Sequence, residues 1–220
     1  MERDTTTGRE KLLTAARELF ATQDIETVSL REITRRAGQR NTNAVQYHFG
    51  DRKALLLAVL APHHELVAAR RSALLDALDR DSDPPLRVLA DALVRPSAAM
   101  LAEPGGREYL QIVARLVRDP AAMRERGIAD GALGRWDRIA QAAMPKETLP
   151  LHRRFSAMQL CFNELGRRAA TGRRADHRLF VSDLVDLAVG VLGAPVSDET
   201  LDLLTERDSS SGTSAARSRS

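Results

Sequence analysis

The chain has 220 residues, 43% hydrophobic and 29% charged, with a formal net charge of +3, a balance that fits a soluble globular protein able to bury a sizeable core. Its single cysteine, Cys161, excludes an internal disulfide and fits a reducing compartment, so the expected location is cytoplasmic. No apolar run reaches the length of a membrane span, and the opening MERDTTTGREKLL lacks the apolar core of a secretory signal.

Nearly every segment has helical periodicity and almost none alternates as a strand would, which predicts an all-α fold. Thr7 followed by Glu10 is a capping-box pattern opening a helix with Leu12, Leu13, Ala16, Leu19 and Phe20 on its apolar face. Asp24 stands where the chain leaves that helix. Ser29 followed by Glu32 is a second capping box, starting a short helix from Leu30 to Ala37, and Gly38 supplies the turn after it. A third short helix is predicted over Thr42–Phe49, with Ala44, Val45 and Phe49 as its buried side. Asp51 is a good N-cap for a fourth, apolar-rich helix, which Pro62 is expected to kink or split. Further helices are predicted at Leu86–Leu101, Arg107–Arg118, Ala121–Ala143, Leu149–Ala170 and His177–Leu192, with a short one over Val196–Leu204. The Ser-rich end, residues 206–220, reads as a disordered tail. The expected organisation is a head at 1–55 and a larger helical body at 56–205.

Charge is concentrated in the head. Between Ser29 and Lys53 stand Arg31, Arg35, Arg36, Arg40, Arg52 and Lys53 against Glu32 and Asp51, a local charge of +4, so the rest of the chain sums to about −1. Two short helices around a glycine turn, carrying such a cluster, suggest a helix-turn-helix built to meet phosphates. In that motif the second helix enters the major groove, which is about 12 Å wide. Asn and Gln suit bidentate pairing with adenine and Arg with guanine, and Asn43 and Gln46, three apart, share a face opposite Val45. The candidate DNA-contacting set is Ser29, Arg31, Arg40, Asn41, Thr42, Asn43, Gln46, Tyr47, His48 and Arg52. The rhythm alone has a plainer explanation, since many such helix pairs bind nothing.

The run from Leu12 to Leu56 resembles the N-terminal domain of TetR-type transcriptional repressors. The resemblance rests on Ala15, Ala16, Leu19 and Phe20, then Val28 to Ile33, Ala37-Gly38, Tyr47-His48-Phe49, Arg52 and Ala54-Leu55. It covers about a fifth of the chain. The turn from Gly38 to Asn43 is one residue longer than is usual in that family, and Gln46, Asp24 and Arg52 stand where the family favours Tyr, Gly and Lys. The resemblance implies a three-helix DNA-binding head, a homodimer on palindromic operator DNA, and a helical ligand-binding and dimerisation domain whose small-molecule effector releases the DNA.

The broad apolar faces of Leu149–Ala170 and His177–Leu192 could then form a four-helix interface between two copies; otherwise they fill one subunit's core. A ligand pocket would lie between the middle helices. Its candidate lining is Met100, Tyr109, Ile112, Val113, Leu116, Trp136, Met158 and Phe162, with Gln159 or Asn163 as polar anchors. His63 and His64 are adjacent and point about 100° apart on a helix, a poor metal pair. There is no phosphate-cradling glycine loop and no GxSxG, so neither catalytic residues nor a metal or cofactor is expected. The rival readings are a helical ligand-binding or adaptor protein without operator binding, and an all-helical enzyme with an unrecognised site.

Overall fold

The computed structural model describes residues 7–41, 43–78, 84–118, 131–171 and 176–217, the last ten for their backbone only. The regular structure among them is helical throughout: α1 (Gly8–Thr22), α2 (Leu30–Arg36), α3 (Ala44–Phe49), α4 (Arg52–Leu78), α5 (Leu86–Ala98), α6 (Gly106–Leu116), α7 (Gly131–Ala143), α8 (Arg153–Ala170), α9 (Arg178–Gly193) and α10 (Asp198–Arg217), with single turns of 3-10 helix at Ala99–Leu101 and Lys146–Leu151. The segment predicted helical over 121–130, and the turn at Asp119-Pro120, lie outside the described residues.

Local chemistry sets most of the helix ends. The Thr7 hydroxyl accepts from the Glu10 amide at 3.2 Å while the Glu10 carboxylate accepts from the Thr7 amide at 2.7 Å, so both halves of the first capping box form. Only half of the second does: the Ser29 hydroxyl accepts from the Glu32 amide at 3.1 Å, but the Glu32 carboxylate accepts instead from Gln23 Nε2 at 3.5 Å. Asp24 closes the bend after α1, its carboxylate accepting from the Glu26 amide and its carbonyl from Thr27 and Val28. Gly38 ends α2 at φ 66°, a left-handed conformation that a side chain would oppose. Asp51 caps α4, accepting from the Ala54 amide at 2.7 Å.

Two helices depart from their sequence patterns. Pro62 does not divide α4, which runs unbroken for 27 residues. The lost amide and ring clash are tolerated because Leu55, Leu56, Val59, Leu60 and Val67 pin both sides of the proline into the core. Residues 55 and 56 lie within this helix, which joins the head to the body. The helix placed from Leu149 begins at Arg153, because Pro150 lies in a 3-10 turn and His152 adopts φ 54°. Helix α10 runs from Asp198 to Arg217. Asp198 and Glu199 occupy its first turn, where the helix dipole favours acids.

The body is built around α6 and α8. Gly166 on α8 lies against α6: a Cβ there would meet the Ala114 Cβ at 2.4 Å and the Leu110 carbonyl at 3.3 Å. Trp136 of α7 is fully buried and donates its indole N–H to the Leu89 carbonyl at 2.8 Å. Cys161 is buried in α8, and burial pushes its thiol up to about 12 against the opposing pull of Arg71, so it remains a protonated, unreactive packing group.

The head is docked on this body through α1, α4 and α6. Arg115 of α6 donates to the Ala21 carbonyl at the end of α1 at 3.0 Å. Arg17 of α1 reaches Gly105, whose missing Cβ leaves room for the guanidinium: a Cβ there would meet Arg17 Nη1 at 2.9 Å. His63 of α4 contacts the Pro104 carbonyl at 2.9 Å and stacks on Tyr109 at 5.5 Å. Helix α3 is thus carried by a frame continuous with the core.

Candidate nucleic-acid interface

The short helix α3 is held by its apolar side alone. Ala44 and Val45 are buried, and Phe49 is half-buried under the guanidinium of Arg9, 5.0 Å from the ring centre. The other side is open: Asn43, Gln46, Tyr47 and His48 are all exposed, Tyr47 at 83%. The helix starts later than its sequence pattern predicts. Asn43 occupies the N-cap position without a side-chain cap bond, and Asn41 does the capping from outside, its side-chain oxygen accepting from the Asn43 amide at 2.9 Å. The Asn43 side chain is left without a cap hydrogen bond. Thr42 lies outside the described residues.

Around α3 the cations sort into two groups. Arg31, Arg35 and Arg40 are exposed and make no hydrogen bond or ion pair among the described residues. Arg31 and Arg35 are one turn apart on α2, so they share a face. Arg36, by contrast, is held by Glu18 of α1 through two bonds of 2.8 and 3.2 Å. Arg35 belongs to the basic cluster but not to the contact set chosen from sequence, and its i, i+4 spacing from Arg31 is the signal that identifies it. Ser29 is exposed, and since its oxygen accepts the capping bond its hydroxyl proton can still be donated outward.

Arg52 does not stand with the free cations. Its Nη1 donates to the carbonyls of Ile25 and Glu26, the latter at 3.3 Å, tying the start of α4 to the bend between α1 and α2. It therefore acts as a clamp within the head. Arg52→Ala is expected to destabilise the fold by about 1.5–3 kcal/mol, the range for hydrogen bonds to a charged group. Thermal unfolding checks this, and an unchanged Tm would contradict the clamp.

The ligand candidates are mostly core. Met100, Tyr109, Ile112, Val113, Leu116, Trp136 and Phe162 are buried, and Met158, Gln159 and Asn163 are half-buried. None lines either of two clefts on the surface of the body, of about 780 Å³ between α5 and α9 and about 420 Å³ beside the ends of α7 and α9. The apolar periodicity that nominates these residues reports their burial. Among the described residues no three His, Cys, Asp or Glu side chains gather as a metal site would need, and no single helix is long and apolar enough to cross a membrane.

Residues 12–59 match the family model described as bacterial regulatory proteins, tetR family. The crystal structure of Mycobacterium smegmatis AmtR is similar in fold, with a TM-score of 0.53, 19% sequence identity, and coverage of 91% of this chain and 93% of that one. No curated protein matches the sequence.

Proposed function

From an N-terminal domain that is that of the tetR family of bacterial regulatory proteins, we propose that this transcriptional regulator is a repressor that binds palindromic operator DNA as a homodimer and is released by a small-molecule effector bound in its helical body. The observation that carries the reading is the exposed tip of α3, with Asn43, Gln46 and Tyr47 open and Arg31, Arg35 and Arg40 beside it without protein partners among the described residues. In this reading Asn43 and Gln46 meet base edges, Tyr47, His48, Ser29 and Asn41 meet the backbone, and the arginines neutralise phosphates.

Dimerisation is supported by what the subunit leaves uncovered. Phe162 and Leu165 of α8 and Leu184 and Leu192 of α9 face the subunit's own core, whereas Leu179 is 82% and Leu187 48% exposed, with Phe180 and Val191 half-buried beside them. Two copies joined through α8 and α9 would cover this face and set the two α3 helices for half-sites about 34–36 Å apart. Effector binding would release the DNA by favouring a subunit arrangement with a different head spacing. Going from mostly bound to mostly free requires roughly 10⁴-fold preference between the two states.

Fluorescence anisotropy with duplex DNA from upstream of the native gene tests the reading. Asn43→Ala is expected to relax base preference and cost about 1–3 kcal/mol at the affected position. Binding that ignores sequence in the unaltered protein, or no binding at all, would favour the adaptor alternative.

A further inference from the structure

The cleft between α5 and α9, about 780 Å³, is lined by residues from both helices and belongs to none of the surfaces above except at Leu179. Arg178 and Ser182 stand one turn apart on α9 and face it together, and neither side chain has a hydrogen-bond partner among the described residues. Arg95 faces it from α5, its Nε bound to Asp91 at 2.6 Å. The floor and rim are apolar: Ala98, Ala99 and the 82%-exposed Leu179.

Behind this lining the charge is one-sided. His177, at the cleft wall, has a guanidinium at each ring nitrogen: Arg168 Nε donates to Nδ1 at 3.3 Å, and Arg107 Nη2 lies 3.5 Å from Nε2. A neutral imidazole carries one N–H and one lone pair, and a guanidinium only donates, so at most one of these contacts is a true hydrogen bond. Burial first, then Arg168 and Arg107, hold the imidazole below its ordinary 6.5 against the weaker opposing effect of Asp176. Two guanidiniums line the cleft, on Arg95 and Arg178, and two more, on Arg107 and Arg168, stand behind it against His177. One carboxylate, Asp176, also lines the cleft and accepts from the Arg178 amide at 2.8 Å, while Asp91 is held by Arg95. An anion entering here meets an unbalanced positive field and unoccupied donors.

We propose that this cleft binds a small organic carboxylate, its oxygens held by Arg178 and Ser182 from one wall and Arg95 from the other, its apolar body lying over Ala98, Ala99 and Val181. A planar carboxylate matches the fork of a single guanidinium. The apolar floor favours an anion with a hydrocarbon part over an inorganic one.

Isothermal titration of the full chain with benzoate, its neutral isostere benzamide and inorganic phosphate, at constant ionic strength, tests the site. Benzoate is expected to bind saturably at one per chain, with benzamide and phosphate at least about tenfold weaker. Arg178→Gln is expected to weaken benzoate by about tenfold and Ser182→Ala by roughly threefold, both with unchanged thermal unfolding because neither side chain supports the fold. Benzamide or phosphate binding as well as benzoate, an affinity untouched by both substitutions, or no benzoate binding at all would overturn the proposal. The titration contains no DNA, so its failure leaves the operator reading standing.

Discussion

Replacing Arg31, Arg35 and Arg40 together with Ala is expected to remove most of the salt-dependent affinity for DNA. Each arginine that neutralises a phosphate releases a counterion, and the slope of log K against log salt changes by about 0.9 for every phosphate left without its arginine. Three on each of two heads would flatten that slope by about 5 and leave binding weak even at low salt. The substitutions touch nothing in the fold: all three side chains are exposed and unpaired among the described residues. Arg36→Ala serves as the internal control, because its guanidinium is already engaged by Glu18. Anisotropy titrations at several salt concentrations decide it. A slope unchanged in the triple variant would place the phosphate-binding surface elsewhere.

The second large effect concerns assembly. Leu179→Asp combined with Leu187→Asp places two charges per subunit on the face of α9 that the fold leaves open. Covering a leucine is worth roughly 1.5–3 kcal/mol, and burying an unpaired carboxylate costs several kcal/mol more, so the dimer dissociation constant is expected to rise by more than about 10³-fold. Sedimentation velocity should show a monomer of unchanged helicity. Operator binding should fall with it, since one short α3 helix on one half-site lacks the second reading head. A variant that stays dimeric would assign that face to another role. A monomer that still holds the operator at full strength would refute the two-headed arrangement.

The two predictions rest on features of different legibility. The exposed side of α3 could be read directly, because three-residue spacing puts Asn43 and Gln46 on one face and Val45 on the other, and a six-residue helix has room for one buried side only. The open face of α9 could be read only in part. Leu179, Leu184, Leu187 and Leu192 look alike in sequence, yet Leu184 and Leu192 are buried and the other two are not. A helix hydrophobic over more than half its circumference does not say which stripe its own subunit covers.

The cations show the same division. Arg31, Arg36, Arg52 and Arg71 are indistinguishable by type. Folding leaves the first in solvent, gives the second to Glu18, turns the third into a clamp on Ile25 and Glu26, and buries the fourth at 1% exposure, donating to the Ala92 carbonyl and the Ser97 hydroxyl. The cleft that gathers Arg95, Arg178 and Ser182 is invisible for the same reason: Arg95 and Arg178 stand 83 residues apart in the chain.

What the amino-acid order determined by itself was local: the helical class, the capped starts at Thr7, Ser29 and Asp51, the left-handed turn at Gly38, and the buried side of α3. Each depends on neighbours within one or two turns, where spacing and hydrogen-bonding chemistry are decisive. Tertiary structure alone decided the unbroken path of α4 through Pro62, which stripe of α9 stays open, and which arginines are paired and which are not. Those outcomes turn on which surfaces meet across long stretches of chain, and periodicity records that a face is apolar without recording what packs against it.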